Sequence, residues 1–140
     1  MRVFVVTVSD SRTEETDTSG RAAKEMLVAA GHQVAGYRVL KDEPAEVAAL
    51  IRQIAEEKSA DAVITSGGTG ISRRDATYEA VAGLLDKRLD GFGELFRMLS
   101  YQEIGSAAMM SRAVAGLHRS LVVFATPGST AAVRLALEKL

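Results

Sequence analysis

Apolar residues run almost unbroken through Arg2–Val8, the pattern of a strand buried on both faces. Similar runs occupy Gln33–Leu40, Asp61–Thr65 and Leu121–Ala125. Between them the apolar period becomes helical. Arg21–Val28 predicts a helix that Thr18 or Ser19 caps and Gly31 stops. A second helix is expected from Pro44 to about Lys58, with Val47, Leu50, Ile51 and Ile54 on its core face. Thr77–Asp86 predicts a third, with Ala80, Val81, Leu84 and Leu85 inward. Gly91-Phe92-Gly93 interrupts the pattern, which resumes as a helix over Glu94–Glu103. Gly105 separates that helix from a short helical run, Ser106–Arg112, and Thr130–Leu140 predicts the last helix. Strands alternating with helices imply right-handed crossovers. The expected fold is α/β: three layers, doubly wound, with a mainly parallel sheet and helices on both faces. With no repeat or linker, residues 1–140 are expected to form a single domain.

Composition narrows the function classes. A net charge of −1 argues against a nucleic-acid footprint, which needs a basic surface. The absence of cysteine excludes disulfides, thiolate metal sites and cysteine nucleophiles. No apolar run approaches the roughly 20 residues that span a bilayer, and no basic leader precedes the first strand. A cytoplasmic protein without nucleic-acid or membrane partners is expected.

Candidate chemistry collects after the strands, where parallel α/β sheets place their sites. Ser9-Asp10-Ser11 follows the first strand, Lys41-Asp42-Glu43 the second, Ser66-Gly67-Gly68-Thr69-Gly70 the third and Thr126-Pro127-Gly128-Ser129 the last. The glycines let consecutive N–H groups close on an anion. The loop is neither a P-loop, since no Gly-Lys-Ser/Thr follows, nor a dinucleotide fingerprint. Asp42 either caps the helix starting near Pro44 or pairs with Asp75 to hold Mg2+, which prefers carboxylate and phosphate oxygens. Asp75 has the same two readings, as a cap for the helix starting at Thr77 or as a metal ligand. Of Arg73 and Arg74, no more than one is expected to neutralise phosphate. His32 and His118 have no motif partner and are expected at the surface. Met98, Met109 and Met110 are expected as core filler or subunit contacts.

Together these residues resemble the MogA/MoaB family of molybdopterin adenylyltransferases. The motifs are Val8-Ser9-Asp10, Asp42, Thr65-Ser66-Gly67-Gly68-Thr69-Gly70 with Arg74-Asp75-x-Thr77, Gly91-Phe92-Gly93-Glu94, Ala108-Met109-Met110-Ser111-Arg112 and Pro127-Gly128-Ser129. Their order and spacing cover almost the whole chain and look like the MoaB branch. The resemblance implies a molybdopterin-binding domain that assembles as a homo-oligomer, a trimer or hexamer. It implies Mg2+-dependent reaction of ATP with molybdopterin to give adenylyl-molybdopterin and pyrophosphate. The product is then ready for molybdate or tungstate, and a molybdate-insertion protein is an expected partner. Asp42 and Asp75 correspond to the family's essential carboxylates, tied to Mg2+. Ser66, Gly67, Gly68, Thr69, Gly70, Pro127, Gly128 and Ser129 would bind nucleotide and pterin phosphates. Ser9, Asp10, Arg74 and Ser106 are further substrate-binding candidates. Phe92, Phe96, Met98 and Leu99 lie near the expected inter-subunit region. Two departures stand out: no N-terminal arm precedes the first strand, so arm-mediated contacts are not expected, and Ala76 stands where valine is usual. Two rival readings are a non-catalytic molybdopterin-binding module or chaperone that uses the same pocket without turnover, and the nucleotide-hydrolysing domain of competence-damage proteins, which shares Gly-Gly-Thr-Gly and usually carries a second domain.

Overall fold

The computed structural model describes residues 1–140. Six strands form one sheet in the order β2-β1-β3-β6-β5-β4, with β1 at Arg2–Val8, β2 at Gln33–Leu40, β3 at Ala62–Ser66, β4 at Lys87–Arg88, β5 at Val114–His118 and β6 at Leu121–Thr126. The first four in that order are parallel, and β5 and β4 extend the sheet antiparallel. Five helices complete the chain: α1 (Thr18–Ala29), α2 (Pro44–Glu57), α3 (Thr77–Leu84), α4 (Asp90–Ile104) and α5 (Thr130–Lys139). A 3-10 turn spans Gly105–Met110.

Side-chain alternation along the strands divides the core between the two faces. Val6, Val8, Val63 and Val123 pack with Val47, Ile51 and Ile54 of α2 and Val81 of α3. Val3, Val5, Ala62 and Ile64 pack with Ala23 and Leu27 of α1 and Val133 of α5. This is the three-layer, mainly parallel architecture that the periodicity predicts.

Four local features differ from expectation. The cap of α1 is Asp17, a fully enclosed carboxylate whose Oδ1 accepts the Gly20 N–H at 3.0 Å. Burial pushes the Asp17 pKa up, but bonds from Tyr37, Gly20 and Ser19 outweigh it and hold the group below its usual range. The Gly91-Phe92-Gly93 stretch lies inside α4 rather than interrupting it, because a side chain at Gly93 would sit 2.6 Å from the Ala113 carbonyl oxygen. The close approach of helix and strand requires glycine there. Strands β4 and β5 had no visible signature: β4 has two residues, and β5 is short and broken by Gly116. His118, expected at the surface, has its ring largely covered, with Nδ1 2.9 Å from the Leu84 carbonyl.

The expected oligomer face is also redrawn. Phe96 is enclosed, and Phe92 and Leu99 pack with it around Ala113, Leu135 and Ala136 of the same subunit. Met98 is exposed instead, on a stripe of α4 shared with Leu95, Tyr101 and Ile104; Met109 and Met110 are exposed beyond it.

The register aligns Thr7 with Ser66 and Ser66 with Thr126, so the loops leaving β1, β3 and β6 begin side by side. Gly67 follows with φ +100°, and a side chain there would run into the Val8 carbonyl oxygen. Gly67→Ala is therefore expected to destabilise the protein by about 2–4 kcal/mol, combining left-handed strain with a backbone clash. Urea unfolding measures it, and an unchanged midpoint would disprove the close approach.

Candidate functional site

The sheet order reverses between β1 and β3, and the candidate site lies at their carboxyl ends, where doubly wound sheets bind ligands. A cleft of about 490 Å3 opens there, within the usual size for small-molecule sites. Its walls are Val8, Ser9, Ser11 and Arg12 after β1, Gly67–Gly70 and Asp75 after β3, Ala107, Met110 and Ser111 of the 3-10 region, and Pro127 and Gly128 after β6.

The glycine loop divides its backbone groups between holding itself and facing outward. The Gly67 N–H donates to the Thr126 carbonyl at 2.9 Å, extending the sheet by one bond. The Gly68 carbonyl accepts the Thr77 N–H at 3.0 Å. By contrast, the N–H groups of Gly68, Thr69 and Gly70 donate to nothing within the protein. Three adjacent free donors thus lie in the loop that lines the cleft, while Gly67, expected among them, is engaged.

Arg112 braces the far side of the loop. Its Nε donates to the Thr69 carbonyl at 2.9 Å, and Nη2 to the carbonyls of Gly70 at 2.5 Å and Asp75 at 3.3 Å. Nη1 pairs with Glu79, and the guanidinium lies 4.7 Å from the centroid of the Tyr78 ring. The Thr69 carbonyl shares its peptide with the Gly70 N–H, so Arg112 holds that peptide with its carbonyl turned to the guanidinium. The motif ending at Arg112 was visible in the sequence, but its function as a brace was not, since its bonded partners lie 33 to 43 residues away.

Asp42 and Asp75 flank the same loop. A side chain at Gly68 would sit 2.9 Å from Asp42 Oδ2, and one at Gly70 would sit 2.5 Å from Asp75 Oδ2. Neither aspartate caps the helix suggested for it. Glu43 precedes α2 and Ala76 precedes α3, each without a side-chain cap bond. Asp42 is buried and accepts the Thr77 hydroxyl at 3.1 Å. Asp75 lines the cleft, and its Oδ2 accepts the Ser72 hydroxyl at 2.6 Å. Burial raises the Asp42 pKa above its ordinary value, the charges of Asp75 and Asp10 push the same way, and bonds from Thr77 and Ala76 only partly oppose them.

No three His, Cys, Asp or Glu side chains converge at metal-ligand spacing. The donor set nevertheless fits Mg2+, which takes one or two carboxylates and completes its shell with phosphate oxygens and water.

The secondary candidates separate. Ser9 lines the cleft, and its Oγ accepts the N–H groups of Ser11 and Arg12. Asp10 and Arg74 engage each other through two bonds of 2.8 and 2.9 Å, while Arg74 also reaches Glu43 at 3.1 Å. These bonds hold the Asp10 pKa at about 2. Asp10 also accepts the Asp42 N–H at 3.1 Å, so the pair braces the turn carrying Asp42. Ser106 is exposed and lies outside the cleft, whose neighbouring wall is formed by Ala107, Met110 and Ser111. Ser66 is buried at the end of β3, and Ser129 caps α5 through the Ala132 N–H. Arg12, which the sequence pattern did not single out, is the one cationic side chain lining the cleft.

A glycine loop at the switch point of a doubly wound sheet, with two carboxylates beside it, places the chain among the doubly wound α/β domains. A family model described as a probable molybdopterin binding domain matches residues 4–140, and the chain belongs to this family, the MogA/MoaB family. It is 51% identical, over its full length and 83% of the relative, to molybdenum cofactor biosynthesis protein B from Bacillus cereus. A crystal structure of molybdenum cofactor biosynthesis protein B superposes with a TM-score of 0.96 at 52% identity, covering 99% of this chain and 87% of that one. The tungsten cofactor synthesizing protein MoaB from Pyrococcus furiosus superposes with a TM-score of 0.85 at 42% identity, covering 98% and 88%.

The buried charge of Asp42 makes a prediction for the metal-free protein. Folding raises this pKa, so the folded state retains a proton that the unfolded chain has released. Stability therefore falls as pH rises from the unfolded value, about 3.9, through the raised one. Asp42→Asn removes the charge and keeps an acceptor for Thr77. Its melting temperature at pH 7 is expected to equal or exceed that of the unmutated protein, with the difference fading towards pH 4. Calorimetry across this range checks it, and a lower value at pH 7 would contradict it.

Proposed function

We propose that this protein acts in molybdenum-cofactor biosynthesis by Mg2+-dependent adenylylation of molybdopterin, using ATP and releasing pyrophosphate. The observation that carries the reading is the run of three unpaired amides, Gly68 to Gly70, between two carboxylates. The names of the relatives support the pathway.

The chemistry suits a site without a side-chain nucleophile. The chain has no cysteine, and no histidine lines the cleft to activate a serine. An oxygen of the pterin phosphate attacks the α-phosphorus of ATP. That bond forms as the one from the α-phosphorus to the bridging oxygen breaks, and pyrophosphate departs with the electron pair. Such transfer depends on positioning and charge stabilisation. The amides of Gly68, Thr69 and Gly70 bind phosphoryl oxygens and stabilise the charge that accumulates on them. Asp42 and Asp75 would hold Mg2+, which when bound neutralises phosphate charge and orients the reacting oxygens. Arg112, Arg74 and Asp10 keep the loops in place during the transfer.

Asp75→Asn preserves side-chain size but removes the charge. Adenylyl transfer, followed by mass spectrometry of the pterin product, is expected to fall at least about a hundredfold, as for other electrostatic groups at a reacting centre. Pterin binding should persist, because the amide cradle is unchanged. Near-normal turnover in folded Asp75→Asn protein would remove this carboxylate from the mechanism. An unmutated protein that binds pterin without turning it over would establish the non-catalytic module or chaperone instead.

In the same reading, the exposed Leu95, Met98, Tyr101 and Ile104 stripe of α4 is covered by further copies of the chain. Light scattering is expected to give three or six times the chain mass. A monomer at micromolar concentration would overturn this assembly.

A further inference from the structure

Arg12 lies on the loop between β1 and α1, and its guanidinium is anchored from one side only. Nη1 donates to the Ser19 hydroxyl at 2.5 Å and to the Gly128 carbonyl at 3.1 Å, and lies 3.6 Å from Asp17 Oδ1. Its Nε and Nη2 donate to nothing within the protein. The side chain is 31% exposed and lines the cleft.

The bland account would make Arg12 the counter-charge of buried Asp17. The bonding around Asp17 argues otherwise. That carboxylate already accepts the Gly20 N–H at 3.0 Å, the Ser19 hydroxyl at 3.2 Å and the Tyr37 hydroxyl at 2.5 Å. The approach of Arg12 at 3.6 Å is longer than a hydrogen bond. Other guanidiniums around the site are occupied differently: Arg74 by Asp10 and Glu43, Arg112 by Glu79 and the loop carbonyls. Arg12 alone combines a fixed position, a charge not consumed by hydrogen-bonded carboxylates and free donors at the cleft.

We propose that Arg12 is a substrate-contacting residue, whose free Nε and Nη2 bind a phosphoryl group at the wall of the cleft formed by the β1–α1 loop and Gly128. This rests on the reading of the cleft as a phosphate-ligand site and adds a second anion contact to the glycine-loop amides. The planar fork suits bidentate recognition of phosphoryl oxygens, which a lysine ammonium reproduces only as a point charge. The same chemistry belongs to a nucleotide phosphate and to the pterin phosphate, so the test carries an arm for each.

Calorimetric titration of the unmutated protein, Arg12→Gln and Arg12→Lys with MgATP and separately with molybdopterin supplies the test. Thermal unfolding is measured in parallel. Arg12→Gln is expected to weaken one of the two ligands by roughly 10- to 100-fold, the range for a charge-assisted hydrogen bond. The loss should be larger at low salt, and Arg12→Lys should recover part of it. Loss confined to molybdopterin assigns the contact to the pterin phosphate, and loss confined to MgATP assigns it to the nucleotide. Unchanged affinity for both ligands in the folded variants overturns the proposal, even if the melting temperature falls, because Arg12 would then serve only the packing around Asp17. Failure of the unmutated protein to bind either ligand would overturn the functional reading itself as well as this contact.

Discussion

The geometry of the cleft depends on how closely the backbone at Gly67 approaches the end of β1. A side chain at this position would meet the Val8 carbonyl oxygen, and one at Gly128 would lie 3.0 Å from the Gly67 Cα. Three chain segments thus touch through backbone atoms alone. The contact lets the loop after β3 turn sharply at Gly67, directly before the unpaired amides of Gly68, Thr69 and Gly70. It also brings the turn after β6 against the same loop. With bulkier residues the three segments would be forced apart.

Around that backbone core, arginines and carboxylates are divided by task. Arg74 and Asp10 satisfy each other, and Arg112 is spent on carbonyls and Glu79. These are structural ties between loops that leave different strands. Asp42, by contrast, is buried beside Asp75 and Asp10 without a cationic partner of its own, which explains its raised pKa. A structural carboxylate gains from being neutralised within the protein. One left under-compensated beside free amides suits a bound cation and a phosphate. The contrast separates the bracing residues from the carboxylates that the proposed reaction uses.

Apolar surface follows a separate logic. The two main clusters close the faces of the sheet, and Phe92, Phe96 and Leu99 seal α4 against β5 and α5. The outer stripe of α4 has no such cover within the subunit. It continues towards Met110, which is exposed and also lines the cleft, so this helix links the apolar surface to the polar site.

The layers, parallel strands β1, β2, β3 and β6, and the placement of the glycine loop were legible because each depends on neighbours along the chain. Apolar runs mark buried strands, and glycines permit the turn that follows. The resemblance of the ordered motifs to a known family was legible for the same reason. Tertiary structure decided what those residues do. It assigned Asp42 to Thr77, 35 residues away, rather than to its own helix. It paired Arg74 with Asp10 across 64 residues, laid Arg112 along the glycine loop and placed Arg12 against Gly128, 116 residues on. It added β4 and β5, whose pairing stands in for a weak local signal. Hydrogen bonds and charge compensation of this kind depend on strand order and register, which bring distant loops into contact, whereas periodicity and turn chemistry act between residues already adjacent in the chain.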